Sequence, residues 1–80
     1  MFDIGDIVIT IKEITMYKNS NQEPVKINSG VIFTVVYKES FDSGSVYYEM
    51  YNDKLNINIQ IWDDPGIGTI ETCFKLAISE

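Results

Sequence analysis

The sequence predicts an all-β domain of five short antiparallel strands, closed into a small barrel or bent into a strongly curved meander. Residue usage is the first reason. Ile occurs 13 times, Val six times and Thr five times, so 24 of 80 positions are β-branched, while Ala occurs once, Leu twice and Arg never. β-branched side chains are stiff at χ1 and suit a pleated surface, whereas the scarce types are those that cover helices. The second reason is alternation, because apolar and polar residues repeat with period two in five segments. Length is the third. A chain of 80 residues makes one domain spanning 1–80, with one core and no second lobe to form a cleft.

The elements follow in order. Ile7, Ile9 and Ile11 alternate with Val8, Thr10 and Lys12 in a first strand, entered through Gly5-Asp6. From Met16 to Gly30 the polar run Lys18-Asn19-Ser20-Asn21-Gln22-Glu23-Pro24 reads as a long loop, its end pinned to the core by Val25 and Ile27. A second strand covers about 31–38, with Val31, Phe33, Val35 and Tyr37 on one parity and Ile32, Thr34, Val36 and Lys38 on the other. Asp42-Ser43-Gly44-Ser45 is a turn. Val46, Tyr48 and Met50 then alternate with Tyr47, Glu49 and Tyr51, ahead of a tight hairpin at Asn52-Asp53-Lys54.

The fourth strand has the clearest pattern. Leu55, Ile57, Ile59 and Ile61 form an aliphatic face, opposite Asn56, Asn58, Gln60 and Trp62. A slip of one residue would bury three amides, so its register is strongly specified. Asp63-Asp64-Pro65-Gly66 breaks it. After Gly68 and Thr69, a last strand sets Ile70, Thr72, Phe74 and Leu76 against Glu71, Cys73 and Lys75. Closing such a sheet hides edges that would otherwise invite aggregation.

Composition removes several chemistries. Histidine and arginine are absent, and six lysines face twelve carboxylates for a net charge of −6. There is no imidazole base or ligand and no guanidinium fork for phosphate or base edges. One cysteine, Cys73, makes no internal disulfide and completes no zinc site. It lies in a predicted strand with nothing beside it in sequence to activate it, and reads as a small structural residue. The negative balance repels a phosphate backbone, so direct nucleic-acid binding is disfavoured and a basic protein surface is favoured. No apolar run reaches the roughly 18–20 residues of a membrane span, and Met1–Asp6 lacks the basic region of a signal peptide. A cytoplasmic protein, without membrane partner or cofactor, is the expectation from composition.

Gly5-Asp6-Ile7-Val8 near the start, Gly30-Val31-Ile32-Phe33-Thr34-Val35 at the second strand, Trp62, and Phe74-Lys75-Leu76 at the end form a recurring order of signals. In these residues the chain resembles the small SH3-like β-barrel proteins of phages and other mobile elements of low-GC bacteria. The gap from Trp62 to Phe74 and the middle hairpin are both longer than in a minimal member. The resemblance implies an SH3-like barrel and a mobile-element setting in a bacterial host cell. It carries over no catalytic residue, since similar folds host unrelated functions.

Parity places Tyr47, Tyr51 and Trp62 on the outer face, with Glu49 on the same face and Asp63-Asp64 directly after the tryptophan. Aromatic rings beside carboxylates complement a Lys/Arg surface by charge and by cation–π contact. Tyr47, Glu49, Tyr51, Trp62, Asp63 and Asp64 are therefore the candidate partner-binding residues. Tyr37 is a weaker candidate because its parity matches Phe33. A competing reading folds this face under the Met16–Gly30 loop as a second small core, with Asp63 and Asp64 as a solvated turn. Asp63, Asp64 and Glu71 lack EF-hand spacing and fall short of the about six to eight oxygens calcium takes. Adjacent carboxylates also diverge in an extended chain, so acid–base catalysis is not expected.

The expected function is non-enzymatic protein binding. Given the resemblance, its sharper form is a phage or mobile-element inhibitor of a host nuclease, anti-CRISPR in kind, that fills a basic groove. Two alternatives stand beside it: a self-associating structural or adaptor subunit pairing through an Ile-rich strand edge, and an SH3-like module that stacks nucleic-acid bases.

Overall fold

Seven antiparallel strands form one curled sheet in the computed structural model, which describes residues 2–64 and 69–77. The strands are β1 (Ile7–Thr10), β2 (Ile14–Lys18), β3 (Pro24–Ile27), β4 (Ile32–Ser40), β5 (Val46–Asn52), β6 (Ile57–Asp63) and β7 (Phe74–Leu76), with a short helix α1 (Thr69–Cys73) before the last. Their spatial order is β3-β2-β6-β5-β4-β1-β7. The all-β class and the strongly bent meander are as the sequence predicts, with β4, β5 and β6 as consecutive hairpins and β7 returning to pair with β1.

The two extra strands come from the stretch read as a loop. Ile14 pairs with Ile27 and Met16 with Val25, so apolar residues mirrored about the polar tip face each other across a hairpin. Ile14 and Ile27 are buried in the core, while Thr15 and Lys26 pair on the exposed side of the hairpin. Only two residue pairs, Tyr17↔Gln60 and Lys18↔Ile59, tie β2 to β6. The far end of the hairpin is held to β1 by Thr10, which is 2% exposed. Its hydroxyl donates to Asn28 O at 2.8 Å and accepts from Val31 N at 2.9 Å. Thr10→Val keeps the shape and deletes both bonds; we expect a loss of about 1–3 kcal/mol from the unpaired backbone groups. Urea unfolding checks this, and an unchanged midpoint would contradict the assignment.

The core lies inside the curl. Val8, Phe33, Val35, Val46, Tyr48, Met50, Ile59 and Ile61 come from the sheet, while Phe2, Ile70, Cys73 and Phe74 close over it. On β1 the core takes Val8 and Thr10, leaving Ile7 and Ile9 half-buried on the other face. The Tyr48 hydroxyl is buried without a partner at bonding geometry, although the nearby Phe2 backbone offsets part of the burial effect that raises its pKa.

Three boundaries differ from expectation. The turn after β5 runs over Asp53–Asn56, because the Asn52 side chain accepts from Leu55 N and donates to Ile32 O. Asn56 takes φ of 54°, and Leu55 leaves the aliphatic face to stand 52% exposed. The predicted final strand is helical up to Cys73, since burying both Ile70 and Cys73 requires a helical spacing of three. Cys73 thus packs from a helix rather than from a strand. Pro65 and Gly66, read as breakers, and Gly68, read as leading into the last strand, lie outside the described residues.

The third difference is a bulge in β4. The register with β5 shifts between Val35 and Tyr37. At the start of the shift the N-terminal turn fastens β4 on its other side: Gly5 N donates to Val35 O and Val35 N to Asp6 O. Gly5 has φ of +96°, which a side chain would resist. Beyond the bulge the parity inverts. Lys38 turns to the inner side, pairing with Asp3 at 3.1 Å, and Tyr37 turns outward.

Candidate protein-binding face

The outer face of β4, β5 and β6 carries a continuous run of aromatic rings. Tyr47 and Trp62 are directly opposed in the β5–β6 register, with ring centroids 4.8 Å apart. Phe41 stacks on Trp62 at 5.5 Å and 30°, and Tyr37 meets Tyr47 edge-on at 6.0 Å. The loop that delivers Phe41 is tied by Phe41 N to Ser45 O and by Gly44 N to Phe41 O. Tyr37, Phe41 and Trp62 are 42%, 40% and 51% exposed, so this face is not folded under the 16–30 segment. Only Asn19 from the β2–β3 tip reaches its margin, accepting from Gln60 Nε2 at 2.7 Å and touching the Tyr47 hydroxyl at 3.5 Å.

Carboxylates frame the rings. Tyr37 donates its hydroxyl hydrogen to Glu39 at 2.9 Å, and Tyr47 donates to Glu49 at 2.7 Å. Asp64 accepts from the Ser45 hydroxyl at 2.7 Å, beside the Phe41 loop. Among the described residues the ion pairs are Lys26–Glu13 and Lys38–Asp3, so no lysine neutralises Glu39, Glu49 or Asp64.

Tyr47, Glu49, Trp62 and Asp64 thus gather as expected, but two candidates do not. Asp63 falls opposite Val46 on the core-side parity of β6, where its carboxylate accepts from Ile70 N at 3.3 Å and caps α1. Tyr51 is on the outer face but two residues further along β5, with its hydroxyl donating to Asn56 at 3.0 Å. There it separates two shallow grooves. One is about 490 Å³, lined by Gly30, Ile32, Thr34 and Asn52 to Lys54; the other is about 280 Å³, lined by Lys18, Ser20, Asn21 and Asn56 to Asn58. Neither brings two carboxylates together.

Glu39 and Phe41 are the members sequence reasoning missed, and Tyr37 is the one it ranked below the others. The bulge hid Tyr37 and Glu39. Phe41 sits beyond the strand, and an apolar residue leading into a polar turn was its only signal.

Burial first, and then the hydrogen bond to the Glu49 carboxylate, push the Tyr47 hydroxyl up to about 12. Its bond to Glu39, and then the charge of Glu39, raise Tyr37 as well. A folded-state pKa above the unfolded value means stabilisation that is complete below pH ~10 and lost as pH rises towards 12. Tyr47→Phe removes that loss, so its denaturation midpoint should fall less steeply than the parent's over this window. Parallel slopes would show that Tyr47 does not hold its proton in this way.

Among the described residues no helix is long and apolar enough to cross a membrane, and no three His, Cys, Asp or Glu residues gather to hold a metal. Comparison with protein-family models, curated proteins and solved structures finds no match.

Proposed function

We propose that this chain is a non-enzymatic protein-binding module that presents the Tyr37–Tyr47–Trp62–Phe41 face to a basic surface on a partner protein. One observation carries the reading: four rings in unbroken contact lie on a solvent-facing sheet, bordered by carboxylates that no lysine pairs with. Aromatic residues concentrate at interfaces because they bury large areas with few rotatable bonds. The net charge of −6 steers the face towards cationic surfaces.

In the mobile-element setting that the SH3-like resemblance implies, the partner is a host nuclease such as a CRISPR effector. The acidic face would occupy its nucleic-acid groove by charge mimicry. The return of β7 to β1, which closes one side of the curl, supports the SH3-like reading. The test is capture from nuclease-treated bacterial lysate by tagged parent and tagged Trp62→Ala protein. A captured nuclease, lost by the folded variant and released by salt, supports the proposal; equal capture by both proteins refutes it. Charge reversal should be made at Glu39, Glu49 and Asp64, because reversing Asp63 would strike the α1 cap.

Self-association is the second reading. Ile32, 51% exposed, pairs with the half-buried Ile9 on the outer face of β4 and β1, next to the edge strand β7. A chain that sediments as a monomer at every concentration would remove it.

A further inference from the structure

We propose that Tyr37, Glu39, Tyr47 and Glu49 form a seat for a single arginine side chain, a refinement that rests on the protein-binding reading above. The register sets Tyr37 opposite Glu49 and Glu39 opposite Tyr47. Two adjacent strands therefore place four side chains at the corners of one quadrilateral, with the rings on one diagonal and the carboxylates on the other. Directly opposed Cβ atoms in such pairs lie about 4.5–5.5 Å apart, so all four corners fall within reach of one cationic head.

Hydrogen bonds hold the frame. Each tyrosine donates to the glutamate two residues along its own strand, Tyr37 to Glu39 Oε1 and Tyr47 to Glu49 Oε2. Among the described residues, no hydrogen bond engages Glu39 Oε2 or Glu49 Oε1, leaving two anionic acceptors beside two rings. A phenol that donates to a carboxylate has a more electron-rich ring, which strengthens its attraction for a cation over its face. The rings meet at 65°, one turning its edge towards the other, and Trp62 walls one side through Tyr47. Lys38 does not fill the seat, because its register partner is Tyr48 and its head bonds Asp3.

The geometry selects guanidinium over ammonium. A guanidinium is planar, stacks on an aromatic face while its N–H groups reach carboxylates in its own plane, and is more weakly hydrated. An ammonium is a compact, strongly hydrated point charge with no planar face to lay on a ring, and it loses more hydration on leaving water. An anion is repelled.

Three acetylated, amidated pentapeptides, Gly-Ser-X-Ser-Gly with X as Arg, Lys or citrulline, make the test. Each is titrated at low salt while the ring resonances of Tyr37 and Tyr47 are followed by NMR. The arginine peptide should shift both rings saturably, the lysine peptide should bind more weakly, and the neutral citrulline peptide should not bind. Glu39→Gln/Glu49→Gln keeps a carbonyl acceptor for each hydroxyl and should raise the arginine Kd about tenfold or more. If the double variant loses its circular dichroism signal, each single variant should still weaken binding. Equal shifts from citrulline and arginine, equal affinity for lysine and arginine, or an unchanged Kd in the folded Gln variants would each overturn the seat. The broader reading fails separately: lysate capture that survives Glu39→Gln/Glu49→Gln but not Trp62→Ala removes the arginine seat and keeps the binding face.

Discussion

Replacing Phe33 with Ala should cost the fold about 3–5 kcal/mol, the largest loss expected among the single substitutions proposed for this chain. Phe33 is completely buried in β4, and its neighbour in the β1 register is Val8. Its ring meets Phe74 edge to face, with centroids 6.2 Å apart and planes at 84°. One side chain therefore joins the central meander to the first strand and to the segment that closes the curl. Truncating a buried Phe costs about 3–5 kcal/mol, through lost transfer energy and the cavity left behind. At about 0.05–0.15 kcal/mol per residue, a chain of 80 residues has on the order of 4–12 kcal/mol in total. The loss is thus comparable with the whole stability at the lower end of that range. Urea unfolding followed by circular dichroism measures it, with Phe33→Leu as a volume-sparing control that should cost far less. A Phe33→Ala cost below about 1 kcal/mol would mean that the core does not depend on this contact.

Trp62→Ala should do the opposite, removing binding and keeping the fold. Half of the tryptophan surface is in water, and its contacts are the rings of Phe41 and Tyr47. The two aromatic pairs contribute about 0.5–1.5 kcal/mol each beyond the area they bury, a smaller loss than truncation of the fully buried Phe33. Truncating a tryptophan at the centre of an interface costs about 2 kcal/mol or more, roughly thirtyfold or greater in Kd. Trp62 is central by position, since it lies between Phe41 and Tyr47 in the run of rings. Surface plasmon resonance against the captured partner, beside thermal unfolding of both proteins, separates the two effects. A folded variant with parental affinity would move the interface elsewhere on the molecule.

The parts of this face legible in the sequence are those set by alternation along one strand. Tyr48, Met50, Ile59 and Ile61 point inward, and Tyr47, Glu49 and Trp62 outward, as their parity requires. Pleating turns successive side chains to opposite faces, so neighbours in sequence suffice to sort them. The same logic failed at Tyr37, where a register shift inserts one residue and inverts the faces. It failed at Asp63 for a different reason. A carboxylate beside a tryptophan was assigned to the tryptophan's neighbourhood, but β6 places it on the opposite face, against the helix start at Ile70.

The β2–β3 hairpin was half legible. The spacing Ile14-x-Met16 and Val25-x-Ile27 is mirrored about a polar tip, and that symmetry can be seen in the residues. A run of polar residues outweighed it because local composition says how soluble a segment is, not what faces it.

Composition and alternation were enough for an all-β class, the inward and outward faces of β5 and β6, and the negative charge of the molecule. Each of these is a sum over residues or a property of adjacent ones. Tertiary structure alone decided that Tyr37 and Glu39 join Tyr47 and Glu49, and that Phe41 lies on Trp62. The first of those outcomes follows from the register shift after Val35, where β4 is also bonded to Gly5 and Asp6 from the far start of the chain. A bulge is set by which strands compete for the same backbone groups, and that competition exists only once the sheet has formed.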